Sequence, residues 1–429
     1  MRSGGHLEVL KGIDYLMAMP QYGLVGDASL RPGLSRITRL LSGLGNPERG
    51  VPVIHVAGTN GKGSTASWIA AILTAHGLRV GLHTSPHLKH AGERMRVDGT
   101  TASVEWLGYR IDEYRTLIEE TRASYFETTV AMSMLRFAEA GVDVAVVEVG
   151  LGGKLDATNV LRPAVSVVTT VGLDHTDILG DTLGAIAGEK AGIIKNGAPV
   201  VLGRQAPEAA IVLEAEAARQ GGALFSAERD TQWRGRTLQT PSGQYTHLFP
   251  KPEGDHQRDN AATAVLAVEA FLAGTGRSVS ASAVRNGLRN VKRLAGLRGR
   301  FEAISEDPLI VLDVAHNPDA LGPLFDRFHL ASAGRSPEVL IALMRDKDIR
   351  SVVALLARHA FLVHPLNLQS PRALPTAELQ VLLENAEVPL RPVVELHQLG
   401  ELLRDIEGGR ALLVTGSHQV VASVLDCVE

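Results

Sequence analysis

Short, continuous apolar runs recur along the chain, and longer Ala- and Leu-rich stretches separate them. "VPVIHVA" (51–57), "VDVAVVEVG" (142–150), "AVSVVTTVG" (164–172) and "APVVLG" (198–203) are mostly continuous apolar runs rather than alternating ones. A strand that is apolar on both faces must be covered on both, the condition of a parallel sheet held between helical layers. "STASWIAAILTAHG" (64–77) fits such a covering helix, with Ser64 as its cap and Gly77 as its stop. The alternation predicts a doubly wound α/β sheet.

The rhythm breaks at 225–255, a polar, turn-rich stretch whose "PSG" offers a hairpin turn, read here as a small β excursion. The helical stretch 260–274 follows, then the basic segment "NVKRLAGLRGRFE" (290–302), read as a hinge because it carries no apolar periodicity. Strand-like runs resume at 308–318, 338–344, 360–366 and 411–417. A chain of 429 residues exceeds what one core usually serves. The expectation is therefore an N-terminal, P-loop ATPase-like doubly wound domain over 1–296, carrying the β excursion. A smaller, Rossmann-like α/β domain follows over 297–429, with a cleft between the two for substrate.

Composition excludes several classes. The formal net charge of -4 predicts no general affinity for nucleic acid or anionic membrane. No apolar run approaches the ~20 residues that cross a bilayer, and "MRSGGHLEVLKGIDYL" has no apolar core of a secretory leader. The single Cys427 forms no intramolecular disulfide and no zinc cluster, so a reducing cytoplasm is expected.

The first βα junction carries the chemistry. In "GTNGKGS", Gly58, Thr59, Asn60, Gly61, Lys62, Gly63 and Ser64 stand between a strand and a helix start. Glycines let backbone N–H groups approach an anion, Lys62 adds a point charge, and Ser64 offers a hydroxyl to phosphate or Mg²⁺. The loop departs from the strict GxxxxGK[ST] pattern, with Val56 at the first glycine position and Gly63 between Lys62 and Ser64. The plainer alternative is a βα turn with a solvent-facing lysine. Glu148 ends a buried strand, where open α/β sheets bind ligands, and offers a hard oxygen to Mg²⁺; His175 follows the next strand, so both side chains can face one crevice. A turn-capping carboxylate and a hydrogen-bonded structural histidine are the alternatives.

Further motifs occur in order: "TSPHL" (84–88), "ERMRVDG" (93–99), "EVGLGGKLDATN" (148–159), "GLDHTDILG" (172–180), "IAGEKAGIIK" (186–195), "GDHQRDNAA" (254–262), "LDVAHNP" (312–318) and "RDKD" (345–348). With the loop, they resemble the folylpolyglutamate synthases and bifunctional dihydrofolate synthase/folylpolyglutamate synthases of the Mur ligase superfamily, over nearly the whole chain. The resemblance implies an ATP-dependent ligase that joins L-glutamate to tetrahydrofolate, and also to dihydropteroate, through an acyl phosphate; a monofunctional folylpolyglutamate synthase is the alternative. It implies two Mg²⁺ ions held by Ser85, Glu148 and His175, a monovalent cation, and a carbamylated Lys190. On charge alone Lys190 reads as an ordinary helix lysine.

By the same resemblance Asn260, Arg300 and Asp313 contact ATP; helix caps and a surface charge are the alternatives. Phe126, Glu127 and Thr128 in "SYFETTV", with Leu155, Asp156 and Ala157, line the pterin pocket, unless Phe126 is a core residue of an amphipathic helix. His316 and Ser417 are candidates for placing glutamate. Valine at 314 and lysine at 154 stand where the family more often has glycine and arginine; the second replaces a fork with a point charge. The resemblance also implies a monomer with small-molecule partners only. Rival readings are a cell-wall Mur ligase, for which too little chain precedes residue 58, and a P-loop switch that makes no amide.

Overall fold

A computed structural model describes residues 3–20, 33–406 and 409–428. The described residues up to Leu297 form one compact unit, and those from Arg298 onward form a second.

The first unit is built on eight strands: β1 (Val53–Ala57), β2 (Val80–His83), β3 (Met95–Val97), β4 (Thr100–Thr101), β5 (Val144–Glu148), β6 (Pro163–Val168), β7 (Val200–Leu202) and β8 (Leu224–Ser226). Their order is β4-β3-β2-β5-β1-β6-β7-β8, parallel except for the β3 and β4 edge. The continuous apolar runs are buried on both faces, as expected. Ile54, Val56, Val144, Val146, Val165 and Val167 pack with Trp68, Ile69 and Leu73 of the helix Lys62–Ala75. On the opposite face Val53, Ala145 and Val147 meet Val130, Met134 and Phe137 of the helix Tyr125–Ala140. The helix Lys62–Ala75 is buried from Ser64 to Leu73, because Asp255–Gly274, Ala281–Arg289 and Val291–Ala295 cover its outer side.

Two local expectations change, and a third holds. Ser64 does not cap the helix Lys62–Ala75: Gly61 holds the N-cap position, at φ +83° and with no side chain to cap it, and Ser64 lies buried in the first turn. Residues 291–295 are a helix with Val291, Leu294 and Ala295 buried, so the segment's first half belongs to the first unit's core. Those three stand at i, i+3 and i+4, a stripe too short for a periodicity to register. The β excursion is present as β9 (Gln232–Arg234), β10 (Thr237–Thr240) and β11 (Gly243–Tyr245), antiparallel, with Pro241 and Ser242 at the expected turn.

The second unit holds β12 (Glu302–Glu306), β13 (Leu309–Leu312), β14 (Ser336–Ile341), β15 (Leu362–Asn367), β16 (Val394–Glu395) and β17 (Arg410–Thr415), in the order β12-β13-β17-β14-β15-β16. All but β12 run parallel. Phe325, Phe328 and Phe361 fill its core with edge-to-face rings 5.3 and 5.9 Å apart. Among the described residues no helix is long and apolar enough to cross a membrane.

Candidate active site

β1 is the pivot of the first sheet. The chain leaves it for β2, returns by β5 between the two, then crosses β1 to form β6. Val56 is registered with Glu148 on one side and Val167 on the other, so three strand ends meet at one edge. Such a reversal of winding direction is where open α/β sheets leave a crevice for ligands. The sequence reading treated Glu148 and His175 as ends of successive strands; β1 stands between those strands, and the two residues flank the phosphate loop.

That loop is clamped rather than merely tight. Gly58 sits at φ +149°, and a Cβ there would lie 1.8 Å from Thr169 Oγ1. The Thr169 hydroxyl lies 2.7 Å from Asn60 O and 3.2 Å from Ala57 O, both within donating range. Thr59 donates its N–H to Thr170 O at 2.7 Å, and its hydroxyl exchanges two hydrogen bonds of 3.0 Å with Gly172. Gln205, which lies in no recognisable motif, accepts Val171 N–H at 3.1 Å and so braces the segment holding Thr59. From the other side Asn260, within a helix rather than capping one, leaves no room for a Cβ on Gly61: its Oδ1 would lie 2.4 Å away. No side chain caps the helix that begins at Lys62, and Gly63 and Ser64 lie in its first turn, the part of a helix that attracts anions.

Two ammonium groups meet at this loop. Lys62 Nζ donates to Gly58 O at 3.1 Å and to Thr59 O at 3.0 Å. Lys190 Nζ donates to the same Gly58 O at 3.0 Å from a position 3% exposed. Burial, and then the neighbouring Lys62 charge, push Lys190 down to about 7 despite Asp174, Asp156 and Glu189. Lys190 lies on the helix Leu183–Ala191, but its burial sets it apart from an ordinary helix lysine that points to solvent.

At the end of β5 Glu148 is 4% exposed, and its Oε2 accepts Ser85 N–H at 3.0 Å. Buried Arg94 faces Glu148, lies over the Tyr125 ring at 5.2 Å and donates to His87 Nδ1 at 2.9 Å. Burial and then Arg94 push His87 down to about 4. Arg94 and His87 carry no assignment from sequence; the clustering of Glu93, Arg94 and Arg96 at a strand approach was the available signal. His175 has φ +52° and keeps its Nε2 4.0 Å from Asp174 Oδ1. Ser85, Glu148 and His175 suit a hard divalent cation, which takes few protein ligands and completes its shell with phosphate oxygens and water. Among the described residues no three His, Cys, Asp or Glu side chains cluster to hold a metal unaided.

The acceptor-side candidates divide. Phe126 is half-buried; its Cζ would lie 2.5 Å from a Cβ on Gly150, and its ring meets His83 edge-on at 6.1 Å. Glu127 closes a capping box with Ser124 and pairs with Arg36 at 3.1 Å, so its carboxylate serves the helix start. Thr128 is buried and its hydroxyl has no hydrogen-bond partner. Leu155 is 50% exposed, whereas Ala157 is buried. Asp156 accepts Leu151 N–H, Thr158 N–H and the Thr158 hydroxyl at 2.9, 2.9 and 2.5 Å, and thereby folds the loop after β5; burial raises its pKa.

In the second unit, β13 and β17 are neighbours, and their ends bring together residues a hundred positions apart. Gly416 N–H donates to Ala315 O at 2.9 Å. Asp313 accepts Phe301 N–H at 2.7 Å and Ala315 N–H at 2.8 Å, so it shapes the turn after β13. Arg300 Nη1 donates to Gly299 O at 3.1 Å. The His316 ring lies 6.0 Å from that of His418, and Ser417 Oγ accepts Val420 N–H at 3.2 Å, capping the helix His418–Val428.

The profile of the Mur ligase middle domain matches residues 56–268, and that of the Mur ligase glutamate ligase domain matches residues 299–418. Folylpolyglutamate synthase of Lacticaseibacillus casei is 36% identical over 390 residues, covering 87% of this chain and 88% of that one. This chain belongs to the folylpolyglutamate synthase family of Mur ligases. The family's members are ATP-dependent ligases that join glutamate to folates, which agrees with the resemblance read from the motifs. The Mycobacterium tuberculosis folylpolyglutamate synthase solved with ADP and AMPPCP superposes with a TM-score of 0.83 at 32% identity, over 99% of this chain and 98% of that one. A bifunctional folylpolyglutamate synthase/dihydrofolate synthase solved with Mn, AMPPNP and L-glutamate gives 0.82 at 31%, over 98% of each.

Proposed function

We propose that this chain forms an amide between L-glutamate and both dihydropteroate and tetrahydrofolate, consuming one ATP per bond. The observation that supports this reading most is the clamped loop, where two ammonium groups converge on Gly58 O beside an uncapped helix start.

The acceptor carboxylate attacks the γ-phosphorus, and the bond to the bridging oxygen of ADP breaks to leave an acyl phosphate. Lys62 and the loop N–H groups meet the charge that spreads over the phosphoryl oxygens. Glutamate's amine then attacks the acyl carbon, loses a proton and expels phosphate. Magnesium, held by Ser85, Glu148 and His175, would supply charge neutralisation at the phosphates; two such ions and a monovalent cation belong to this reading. A lysine held near 7 keeps a large neutral fraction, and a neutral amine can take up CO₂ to become a carbamate, so Lys190 is assigned that role. Asn260 is the nucleotide-side residue of the first unit, and Phe126 the platform for the pterin ring. In the second unit Arg300 is assigned to the nucleotide, Asp313 to shaping its turn, and His316 and Ser417 to glutamate. A monomer in the cytoplasm completes the reading; the exposed thiol of Cys427, the only cysteine, suits a reducing compartment.

The test offers 7,8-dihydropteroate and tetrahydrofolate separately with ATP, Mg²⁺ and L-glutamate, and weighs the products. One added glutamate residue on each, with matching ADP, is expected. Product from tetrahydrofolate alone would reduce the activity to polyglutamylation, and ADP release without any amide would overturn the reading.

A further inference from the structure

Two buried histidines have no part in the chemistry above. His55 on β1 and His83 on β2 are both fully buried, and both are registered with Val147 of the intervening β5, so they stand in one row on one face of the sheet. Each ring is tied to a hydroxyl that is itself tied onward. His83 Nδ1 lies 2.8 Å from Ser133 Oγ, which donates to Thr129 O at 2.8 Å, and the ring also bonds the Arg94 backbone. Thr158 Oγ1 gives its hydrogen to Asp156 Oδ1, so at 2.8 Å it accepts from His55 Nε2. His55 Nδ1 has no partner, and a buried polar atom left unpaired costs stability that an apolar side chain would not.

Both rings lead to Phe126. From His83 the path runs through Ser133 to Thr129, whose hydroxyl donates to Phe126 O at 3.0 Å, while the His83 ring meets the Phe126 ring directly. From His55 it runs through Thr158 to Asp156, which accepts Leu151 N–H and lies beside Gly150, the glycine against which Phe126 rests. One relay holds the backbone beneath the ring, and the other holds the loop beside it.

We propose that His55 and His83 are positioning residues that set acceptor affinity by fixing Phe126 from two sides, which rests on the reading that the pterin stacks there. The isosteric change Thr129→Val cuts the first relay at its last bond, and Thr158→Val cuts the second; Thr129→Ser and Thr158→Ser keep the hydroxyls. His83→Leu and His55→Leu remove the rings themselves. Each valine and leucine variant is expected to raise the KM for the pterin acceptor about tenfold, with kcat and the KM for ATP and glutamate within about twofold, and the serine variants to restore it. Should the leucine variants not fold, the valine and serine pairs carry the test alone. An unmoved acceptor KM, or an equal rise for ATP, overturns the inference. A parent enzyme that ligates neither pterin acid overturns the proposed function instead.

Discussion

Lys62 and Lys190 donate to one and the same atom, the carbonyl oxygen of Gly58, at 3.1 and 3.0 Å. Two cations sharing one acceptor repel, and the buried one yields: Lys190 is pushed down to about 7, first by burial and then by Lys62. In the unfolded chain its pKa returns to about 10.4. Between those values the unfolded state binds more protons, so this group makes stability rise with pH from about 7 to about 10. Urea midpoints across that range should show the rise in the parent, and Lys190→Met should flatten it. If the lysine is carbamylated, ¹³C-bicarbonate should add a carbamate resonance that Lys190→Met lacks. A flat parent profile would remove the basis for both expectations.

Lys62→Ala should leave the fold in place and lower ATP-dependent ligation by about a thousandfold, the scale of losing a charge aimed at a transferring phosphoryl group. Circular dichroism before kinetics separates the two effects. Near-parental turnover would reassign the loop to a structural turn.

Gly58→Ala meets two obstacles at once, a backbone at φ +149° and the Thr169 hydroxyl where the new methyl must go. A loss of about 2–4 kcal/mol is expected in urea unfolding. Adding Thr169→Ala removes the collision but not the strained backbone, so it should recover only part. Full recovery would show that the backbone conformation itself is unimportant.

The loop was legible because strand, glycines and lysine lie within a dozen residues, and its chemistry is local. Strand order was not. Nothing in the runs 142–150 and 164–172 shows that β1 lies between them, since every central parallel strand is equally apolar. Asn260 and Ser85 become site candidates only through family motifs, because their contacts with Gly61 and Glu148 span 199 and 63 positions. Asp156 and Glu127, read as pocket residues, turn out to serve backbone N–H groups; a carboxylate's partners depend on turn geometry that spacing does not reveal. His55 reads as an ordinary member of an apolar run and no run singles out His83, so their relays emerged only with the sheet register.

Glu338 carries the last expectation, in the second unit. Its carboxylate, 1% exposed on β14, takes two bonds of 2.6 Å from Arg410 on β17 and one of 2.6 Å from His364 on β15. Burial opposes ionisation, but the hydrogen bonds from His364 and Arg410 outweigh it and hold the pKa at about 2. The folded value lies below the unfolded one of about 4.3, so the contribution is complete above the unfolded value. It is lost as pH falls through about 2. Glu338→Gln should cost about 3 kcal/mol at pH 7, because it leaves the buried Arg410 contacts without their counter-charge and weakens the bond to His364. The variant should also lose less stability than the parent between pH 5 and about 2. Urea midpoints at pH 7, 5 and 3 check both parts, and parallel profiles for the two proteins would show that this network contributes nothing to acid sensitivity.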